Sequence, residues 1–285
     1  MKLPDKFKTE LPFFAYGLFK PGQLCFFRIR DLVKEKRPAE VNGCLKERDG
    51  LPLLVLDSYQ KIKGFLIRFK DGQEKEAYER IVEIEPDAVY HWKEIDCLDN
   101  TRANSLLGKR SDRGSSDLED IDEWNGRDDP FFREALDEVE AIIKDNSKFT
   151  HSKGDRWDYK TLFRLEMAYS LLWSAIERYT GLKYHLGGEK VTEKVNNIAK
   201  ESVFINSLKK HVKRKAEIYR ADDLDKCCLD PCDPEKSLKY YYQVRCNAAH
   251  RGKAAIKDFD TIKDSLEELL PIFRDLINES FKNEQ

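Results

Sequence analysis

The fold of the C-terminal half is best predicted from one stretch, Ser237-Leu-Lys-Tyr-Tyr-Tyr-Gln-Val-Arg-Cys-Asn-Ala-Ala-His-Arg-Gly-Lys253. Asp233 and Pro234, just before it, are typical of a helix start, because Asp caps free N–H groups and Pro suits the first helical position. Gly252 favours the left-handed conformation that ends many helices. The stretch therefore predicts one helix of roughly four to five turns.

Three side chains of this helix could act together on a phosphodiester. Arg245 is always charged, Asn247 offers an amide, and His250 can change protonation near neutral pH. Arg245 and His250 are about 140° apart around the helix axis, so one copy of the helix does not place both on one face. An ordinary surface position for both residues is the alternative interpretation.

The segment Tyr242-Gln-Val-Arg-Cys-Asn-Ala-Ala-His-Arg-Gly-Lys253 resembles the signature of HEPN domains (higher eukaryotes and prokaryotes nucleotide-binding), most of all the Apea-like branch. The resemblance covers roughly the last 130 residues, by the helical pattern, and implies an all-α bundle. It also implies a metal-independent endoribonuclease in which Arg245 and His250 are catalytic and Asn247 positions the phosphate. RNA would be the partner, no cofactor would be needed, and a homodimer would bring two motifs to one cleft. Prokaryotic defence or toxin-type RNA restriction is the biological role that the resemblance suggests.

Charged residues near this helix have two interpretations. The densest basic run of the chain would usually be a solvated face, but beside an RNA site it could contact the phosphate backbone. Glu166 and Glu177 share a helix face and could reach Arg245, although a salt-bridged surface is the default expectation. The candidate phosphate-binding residues are Lys209, Lys210, Lys213 and Arg214.

The first hundred residues alternate short apolar runs with Gly and Asp-Gly turn signals. This pattern predicts a small mixed α/β domain, or a small barrel. Strands are predicted at 11–20, 41–46, 51–56, 61–69 and 90–95, and helices at 23–36 and 74–84.

The same region resembles the γ-glutamylcyclotransferase-like (AIG2-like) family. The resemblance is carried, in family order, by Tyr16-Gly-Leu-Phe-Lys-Pro-Gly22, Val41-Asn-Gly43, Gly50-Leu-Pro-Leu53, Ile62-Lys-Gly-Phe-Leu66 and Ile81-Val-Glu-Ile-Glu85. It implies that backbone amides of the turn at Tyr16, Gly17 and Leu18 bind a γ-glutamyl-like ligand. It also implies that Glu85 is a second catalytic residue, a general acid/base.

Three positions depart from that family pattern. Val82 stands where Asp is usual, Pro86 where Gly is usual, and Leu18 where Ser or Thr is frequent. From these departures we expect a domain that binds its ligand and releases no 5-oxoproline. A solvated Glu85 is the alternative to a catalytic one.

Residues 97–130 form the main shift in composition. They are polar and turn-rich, which predicts a mobile loop or linker. Apolar residues at helical spacing follow, starting at Phe132, and longer apolar stripes at the same spacing run from Leu162 to Tyr179 and from Ile262 to Leu276. The sequence thus predicts an α+β chain of three parts: a barrel-like cyclotransferase fold at 1–98, a linker and connecting helix at 99–150, and an all-α helical bundle at 151–285.

Composition narrows the possible environments and partners. The 285 residues carry a net charge of −2, so any RNA contact must come from local basic patches. No apolar run approaches the ~20 residues that span a membrane, and no signal-peptide core is present, so we expect a cytoplasmic protein without a membrane partner.

The seven cysteines suggest reduced thiols. Cys227, Cys228 and Cys232, with His211, lack the paired spacing of zinc sites, and no metal is predicted.

The two resemblances leave three functions open. The first is a dimeric RNA endonuclease with the N-terminal domain as sensor or specificity module. The second is a γ-glutamylcyclotransferase whose helical domain dimerises, and the third is a non-catalytic nucleotide-binding module. From the sequence we rank the nuclease first, because its motif is the more complete.

Overall fold

The computed structural model describes residues 2–48, 50–56, 60–85, 88–109, 115–118, 121–147, 159–184, 190–219, 225–250 and 258–282, with the backbone alone at Val191, His250 and Asp258. Helices and strands are both abundant, so the chain is a mixed α and β protein. It divides into two compact units. The first takes residues up to Asp129 with 182–184 and 280–282, and the second takes Pro130–Gly181 and residues from 190 to Glu279.

The first unit is built mainly of strands. Its five-stranded sheet has the order β2-β5-β1-β7-β6, in which β1 and β7 are parallel and the other neighbours antiparallel, and a three-stranded sheet has the order β4-β3-β8. The elements are β1 (Phe13–Ala15), β2 (Val33–Asn42), β3 (Cys44–Arg48), β4 (Leu51–Val55), β5 (Lys61–Phe69), α1 (Glu74–Ile84), β6 (Tyr90–Asp96), β7 (Arg102–Gly108) and β8 (Ser115–Asp117).

The centre of the larger sheet is the short strand β1, in which all three residues are buried. Its neighbour β5 alternates exposed and buried residues over most of its length, as expected of a strand with one face on the core. Gly64 of β5 allows the two strands to approach closely, because a Cβ there would lie 2.6 Å from the Ala15 carbonyl oxygen. β2 and β6 form the edges of this sheet, and the described strands do not close into the barrel that the sequence suggested.

Local periodicity predicted several elements well and one badly. The strands at 51–56, 61–69 and 90–95 and the helix at 74–84 agree with β4, β5, β6 and α1 to within one residue. The helix predicted at 23–36 is wrong: two short 3-10 helices lie at Phe26–Arg28 and Arg30–Leu32, and β2 begins at Val33. Because β2 pairs with β5 from Val33 to Asn42, non-local pairing overrides the local helical spacing.

The prediction of a linker at 97–130 is wrong for the strand β7. This strand lies between β1 and β6 in the larger sheet, and its residues from Ala103 to Leu107 are buried. Two of them are polar, and both donate hydrogen bonds inside the protein, although Asn104 Oδ1 is buried without a partner among the described residues. The Asn104 amide donates to the Lys8 carbonyl (2.7 Å), and the Ser105 hydroxyl donates to the Phe14 carbonyl (3.0 Å). Polar composition was therefore a misleading sign of exposure at this strand.

The second unit is mainly helical. The antiparallel pair β9–β10 corrects the all-α expectation. The elements are α2 (Glu134–Asn146), α3 (Tyr159–Tyr184), α4 (Val191–Asn196), α5 (Ser202–His211), β9 (Ala216–Tyr219), β10 (Lys226–Leu229), α6 (Pro234–His250) and α7 (Asp258–Ser280).

The core of this unit follows the apolar stripes that the sequence predicts on α3 and α7. The predicted stripe residues of both helices are buried, including Tyr169 and Trp173 of α3 and Phe273 of α7. The Tyr169 hydroxyl donates to the Tyr241 carbonyl of α6 at 2.8 Å, which fixes α3 against α6. None of the helices in the described parts of the chain combines the length and apolar character that crossing a membrane requires.

The N-terminus of α6 forms as its sequence predicts. Pro234 is its first residue, and the Asp233 carboxylate accepts a hydrogen bond from the Lys236 backbone N–H (3.0 Å). This is the side-chain cap that satisfies a free donor of the first turn. The predicted stop at Gly252 lies outside the described residues.

Candidate functional site

The most unusual titratable group of the first unit is the carboxyl of Glu85. This residue follows α1 directly, with its backbone N–H bonded to the Ile81 carbonyl (3.2 Å), and its side chain turns into the interior. Glu85 is 6% exposed, and its Oε2 is buried without a hydrogen-bond partner among the described residues. Burial raises the pKa of the carboxyl to about 8, so most of the molecules carry it protonated at neutral pH.

Glu85 lines a small cavity. The cavity measures about 20 Å³, which is room for about one water molecule. It is bounded by strand residues of β1, β4, β6 and β7 and by the turn after β1. The residues that enclose it with Glu85 are Phe13, Ala15, Tyr16, Gly17, Leu18, Phe19, Pro52, Tyr90 and Leu106.

Two tyrosine hydroxyls at this cavity already have partners in the fold. The Tyr16 hydroxyl donates to the Leu106 carbonyl (2.6 Å) and accepts from the Leu54 N–H (3.2 Å), while the Tyr90 hydroxyl donates to the Pro52 carbonyl (2.8 Å). Burial, with a smaller contribution from the charge of Glu85, raises the pKa of both phenols, so they stay protonated. Both hydroxyls donate to backbone carbonyls, so neither donates to the Glu85 carboxyl.

The turn at 16–19 presents backbone to the cavity. Gly17 is needed there because a Cβ would lie 2.9 Å from the Pro52 ring. The Gly17 carbonyl accepts from the Lys20 N–H (2.9 Å), and the Leu18 carbonyl accepts from the Cys25 N–H (3.0 Å). In the part of the chain that the structure describes, no acceptor contacts the N–H groups of Gly17, Leu18 or Phe19. Free N–H groups in successive residues are suited to bind a carbonyl or carboxylate oxygen.

The structure thus brings together the four residues that the cyclotransferase resemblance selected in the first unit: Tyr16, Gly17, Leu18 and Glu85. The solvated alternative for Glu85 is wrong. Sequence reasoning missed the wall formed by Leu106, because this residue lay in the stretch interpreted as a linker. The apolar pair Leu106-Leu107, within an otherwise polar stretch, was the sequence signal that could have indicated a buried strand there.

The second candidate site lies on α6, where Arg245 is held by two neighbours. Its Nη2 lies 3.3 Å from Glu177 Oε1 of α3, and its guanidinium carbon lies 5.9 Å from the centre of the Tyr242 ring. The expected salt bridge of Glu177 is therefore present. The Arg245 side chain is 29% exposed, so part of the guanidinium remains accessible.

The Asn247 side chain of α6 is buried and hydrogen-bonded within the second unit. It is 3% exposed, its Nδ2 donates to the Tyr219 carbonyl of β9 (2.9 Å), and its Oδ1 accepts from Gln243 Nε2 (2.8 Å). Its amide ties the helix to the β9–β10 hairpin. The direct phosphate contact expected for Asn247 does not fit this conformation. His250 is the last residue of α6, and its side chain lies outside the described residues, so its pairing with Arg245 stays a prediction.

The basic run divides into two groups. Lys209, Lys210 and Lys213 are exposed at the end of α5 or just after it, although Lys210 also contacts Asp275 (3.2 Å). Arg214 instead forms a two-pronged ion pair with Glu268 of α7, at 2.7 and 3.0 Å. Because the Arg214 guanidinium is paired with the Glu268 carboxylate, it does not make the phosphate contact predicted for it in this conformation.

Comparisons with known proteins give little guidance. No protein-family model matches the chain, and no curated protein matches it. Allophanate hydrolase from Kluyveromyces lactis is 8% identical over 41% of this chain and 21% of its own, with a TM-score of 0.34. Urea amidolyase from the same yeast is 9% identical over 48% of this chain and 9% of its own, with a TM-score of 0.35. At these TM-scores neither similarity assigns a fold or an activity.

Proposed function

We propose that the first unit carries out acid–base chemistry on an amide, of the γ-glutamylcyclotransferase type. The observation that carries this proposal is the buried Glu85 carboxyl, whose Oε2 has no partner among the described residues, in a cavity that the turn residues Gly17 and Leu18 also line. The substrate class is a γ-glutamyl amide, and the products are 5-oxoproline and a free amine. A pKa of about 8 keeps the carboxyl protonated and ready to act as an acid.

The proposed reaction needs one proton donor and one oxyanion site. The neutral α-amine of the substrate attacks its own γ-carbonyl carbon, which forms the new C–N bond of the ring. N–H groups of the turn bind the carbonyl oxygen as negative charge develops on it. Glu85 donates its proton to the leaving nitrogen as the old C–N bond breaks, and it accepts the proton that the attacking amine releases. The enzyme thus returns to its starting state.

The three positions that depart from the family pattern can be compared with the lining of the Glu85 cavity. Val82 does not line it, Leu18 does, and Pro86 lies outside the described residues. The burial of Glu85 and its place in the cavity support the proposal of catalysis, whereas Val82 and Pro86 are the grounds for the alternative of a binding module. A γ-glutamyl group is larger than the cavity, so substrate binding has to displace side chains that close it.

The test is release of 5-oxoproline from a panel of γ-glutamyl amides. We expect Glu85→Gln to lower kcat by about 10²-fold or more, the usual effect of removing a general acid. Glu83→Gln is the matched control, because Glu83 is an exposed glutamate of α1, and this variant should keep the wild-type rate. A wild-type protein that releases none would make this unit a binding module, and a Glu85→Gln variant with full activity would assign the chemistry to another residue.

We also propose a second function, cleavage of RNA without a metal ion by the second unit. The specific observation that favours it is Arg245, a half-buried guanidinium fixed by Glu177 and Tyr242 on the helix that ends at His250. The RNA 2′-hydroxyl would attack the adjacent phosphate, His250 would transfer protons, and Arg245 would stabilise the charged phosphorane. The products are a 2′,3′-cyclic phosphate and a free 5′-hydroxyl.

This nuclease proposal includes a homodimer, because one helix does not place Arg245 and His250 on one face. Lys209, Lys210 and Lys213 supply the contacts to the RNA backbone, and Asn247 positions α6 against β9 instead of touching the phosphate. The first unit would then supply ligand sensing or specificity. A role in prokaryotic defence or toxin-type RNA restriction is proposed by analogy.

A further inference from the structure

A second and much larger cavity lies in the first unit, beside the Glu85 site. It measures about 490 Å³, within the range of small-molecule sites. All of its lining residues belong to the first unit. Lys20, Pro21 and Gln23 of its wall follow directly on the turn residues that line the Glu85 cavity, so one loop bounds both.

The lining of this cavity is positively charged. The buried Lys20 ammonium, 3% exposed, donates to the Glu123 carboxylate (2.6 Å) and to the Trp124 carbonyl (2.7 Å). The charges of Lys20 and Glu123 cancel. Two further cations, Lys36 and Arg127, line the cavity, so the described lining residues carry a formal net charge of +2. No carboxylate pairs with Lys36 in the part of the chain that the structure describes; its ammonium lies 5.5 Å from the Phe26 ring centre.

The cavity wall is fixed by side-chain hydrogen bonds before any ligand binds. Gln23 Nε2 donates to Asn125 Oδ1 (3.1 Å), and Gln23 Oε1 accepts from the Gly126 N–H (2.9 Å). Asn125 Oδ1 also accepts from the Arg127 N–H (3.1 Å). Such preorganisation lowers the ordering cost of binding. Phe65 adds an aromatic residue to the lining.

We propose that this cavity binds a small-molecule phosphate monoester with a flat organic group, of the nucleoside monophosphate class. A phosphate monoester carries about −1.5 to −2 charges at pH 7, which matches the lining charge. Lys36 and Arg127 bind the phosphate oxygens, since ammonium and guanidinium groups are the usual donors to phosphate. Phe65 contacts the flat group. This site is distinct from both functions proposed above and does not depend on either.

The test is calorimetric titration of the full chain with adenosine monophosphate as the probe. The wild type should bind it, with adenosine and inorganic phosphate each at least about tenfold weaker, since each lacks half of the recognised groups. Lys36→Gln should weaken binding about tenfold, a loss of about 1.4 kcal/mol. Lys34→Gln is the matched control, because Lys34 lies on the same strand but pairs with Asp71 (2.8 Å) away from the cavity.

Three results would overturn this inference. Absence of binding to the wild type at millimolar probe would remove the site. Equal affinity of wild type and Lys36→Gln would place the ligand elsewhere, and adenosine binding as tightly as the monophosphate would exclude phosphate recognition. Lys36 is an exposed side chain, so its variant should fold, which a thermal unfolding curve checks.

Discussion

Glu85→Gln should be more stable than the wild type at pH 9, by up to about 5 kcal/mol. The folded-state pKa of Glu85 is raised from its ordinary value of 4.5 to about 8 by burial. Between these values the folded protein binds this proton more tightly than the unfolded chain does, so stability falls by about 1.4 kcal/mol per pH unit as pH rises. The contribution is fully present below the unfolded-state pKa and is lost above about pH 8. Gln cannot ionise and escapes this loss.

Urea unfolding from pH 4 to pH 9 measures this effect. The wild type and Glu85→Gln should have similar free energies of unfolding near pH 4, where the extra N–H donor of the Gln amide is a small disadvantage in the cavity. Above pH 5 the two free energies should diverge steadily. Glu83→Gln, an exposed position on α1, should run parallel to the wild type throughout. Parallel curves for Glu85→Gln as well would mean that the carboxyl is solvated in the folded protein.

Arg245→Lys and His250→Ala should each lower RNA cleavage by about 10²- to 10⁴-fold, the range for losing a proton-transfer group or a preorganised charge. Lys keeps the charge of Arg245 but lacks the planar fork that binds two phosphate oxygens at once. RNA binding should change little, because the exposed lysines 209, 210 and 213 remain. The assay uses purified protein and total RNA in EDTA, with product ends identified as 2′,3′-cyclic phosphates.

The control for this prediction is Lys239→Gln, which removes an exposed charge from α6 and leaves Arg245 in place. It should cleave at the wild-type rate. Cleavage by His250→Ala at the wild-type rate would assign the chemistry to other residues. Light scattering that gives a monomer with full activity would contradict the shared cleft.

Local patterns were sufficient for elements whose buried residues recur with a clear period. The stripe on α3 that includes Tyr169 and Trp173 and the alternation in β5 both reflect one face on a core, and both were predicted. The helix predicted at 23–36 failed because β2 pairs with a strand far along the chain. Pairing at that sequence distance leaves no local periodic signal.

The environments of the site residues were less predictable than the residues themselves. Family patterns selected Glu85 and Arg245, but the burial of Glu85 depends on β1, β4 and β7, which are distant in sequence, as well as on the nearby β6. The commitment of Asn247 to Tyr219 and of Arg214 to Glu268 likewise depends on tertiary contacts. Polar side chains with no sequence-local partner can be exposed or internally bonded, and only the fold decides between these outcomes.

The protonation of Glu85 is measured most directly by carbon NMR of the side-chain carboxyl, in protein labelled at glutamate and titrated from pH 4 to pH 10. The signal is assigned by its loss in Glu85→Gln. The buried, unpartnered position predicts a titration midpoint near pH 8. A midpoint near the ordinary value of 4.5 would contradict the account, because a carboxylate ionised at neutral pH is not the acid that the proposed reaction requires.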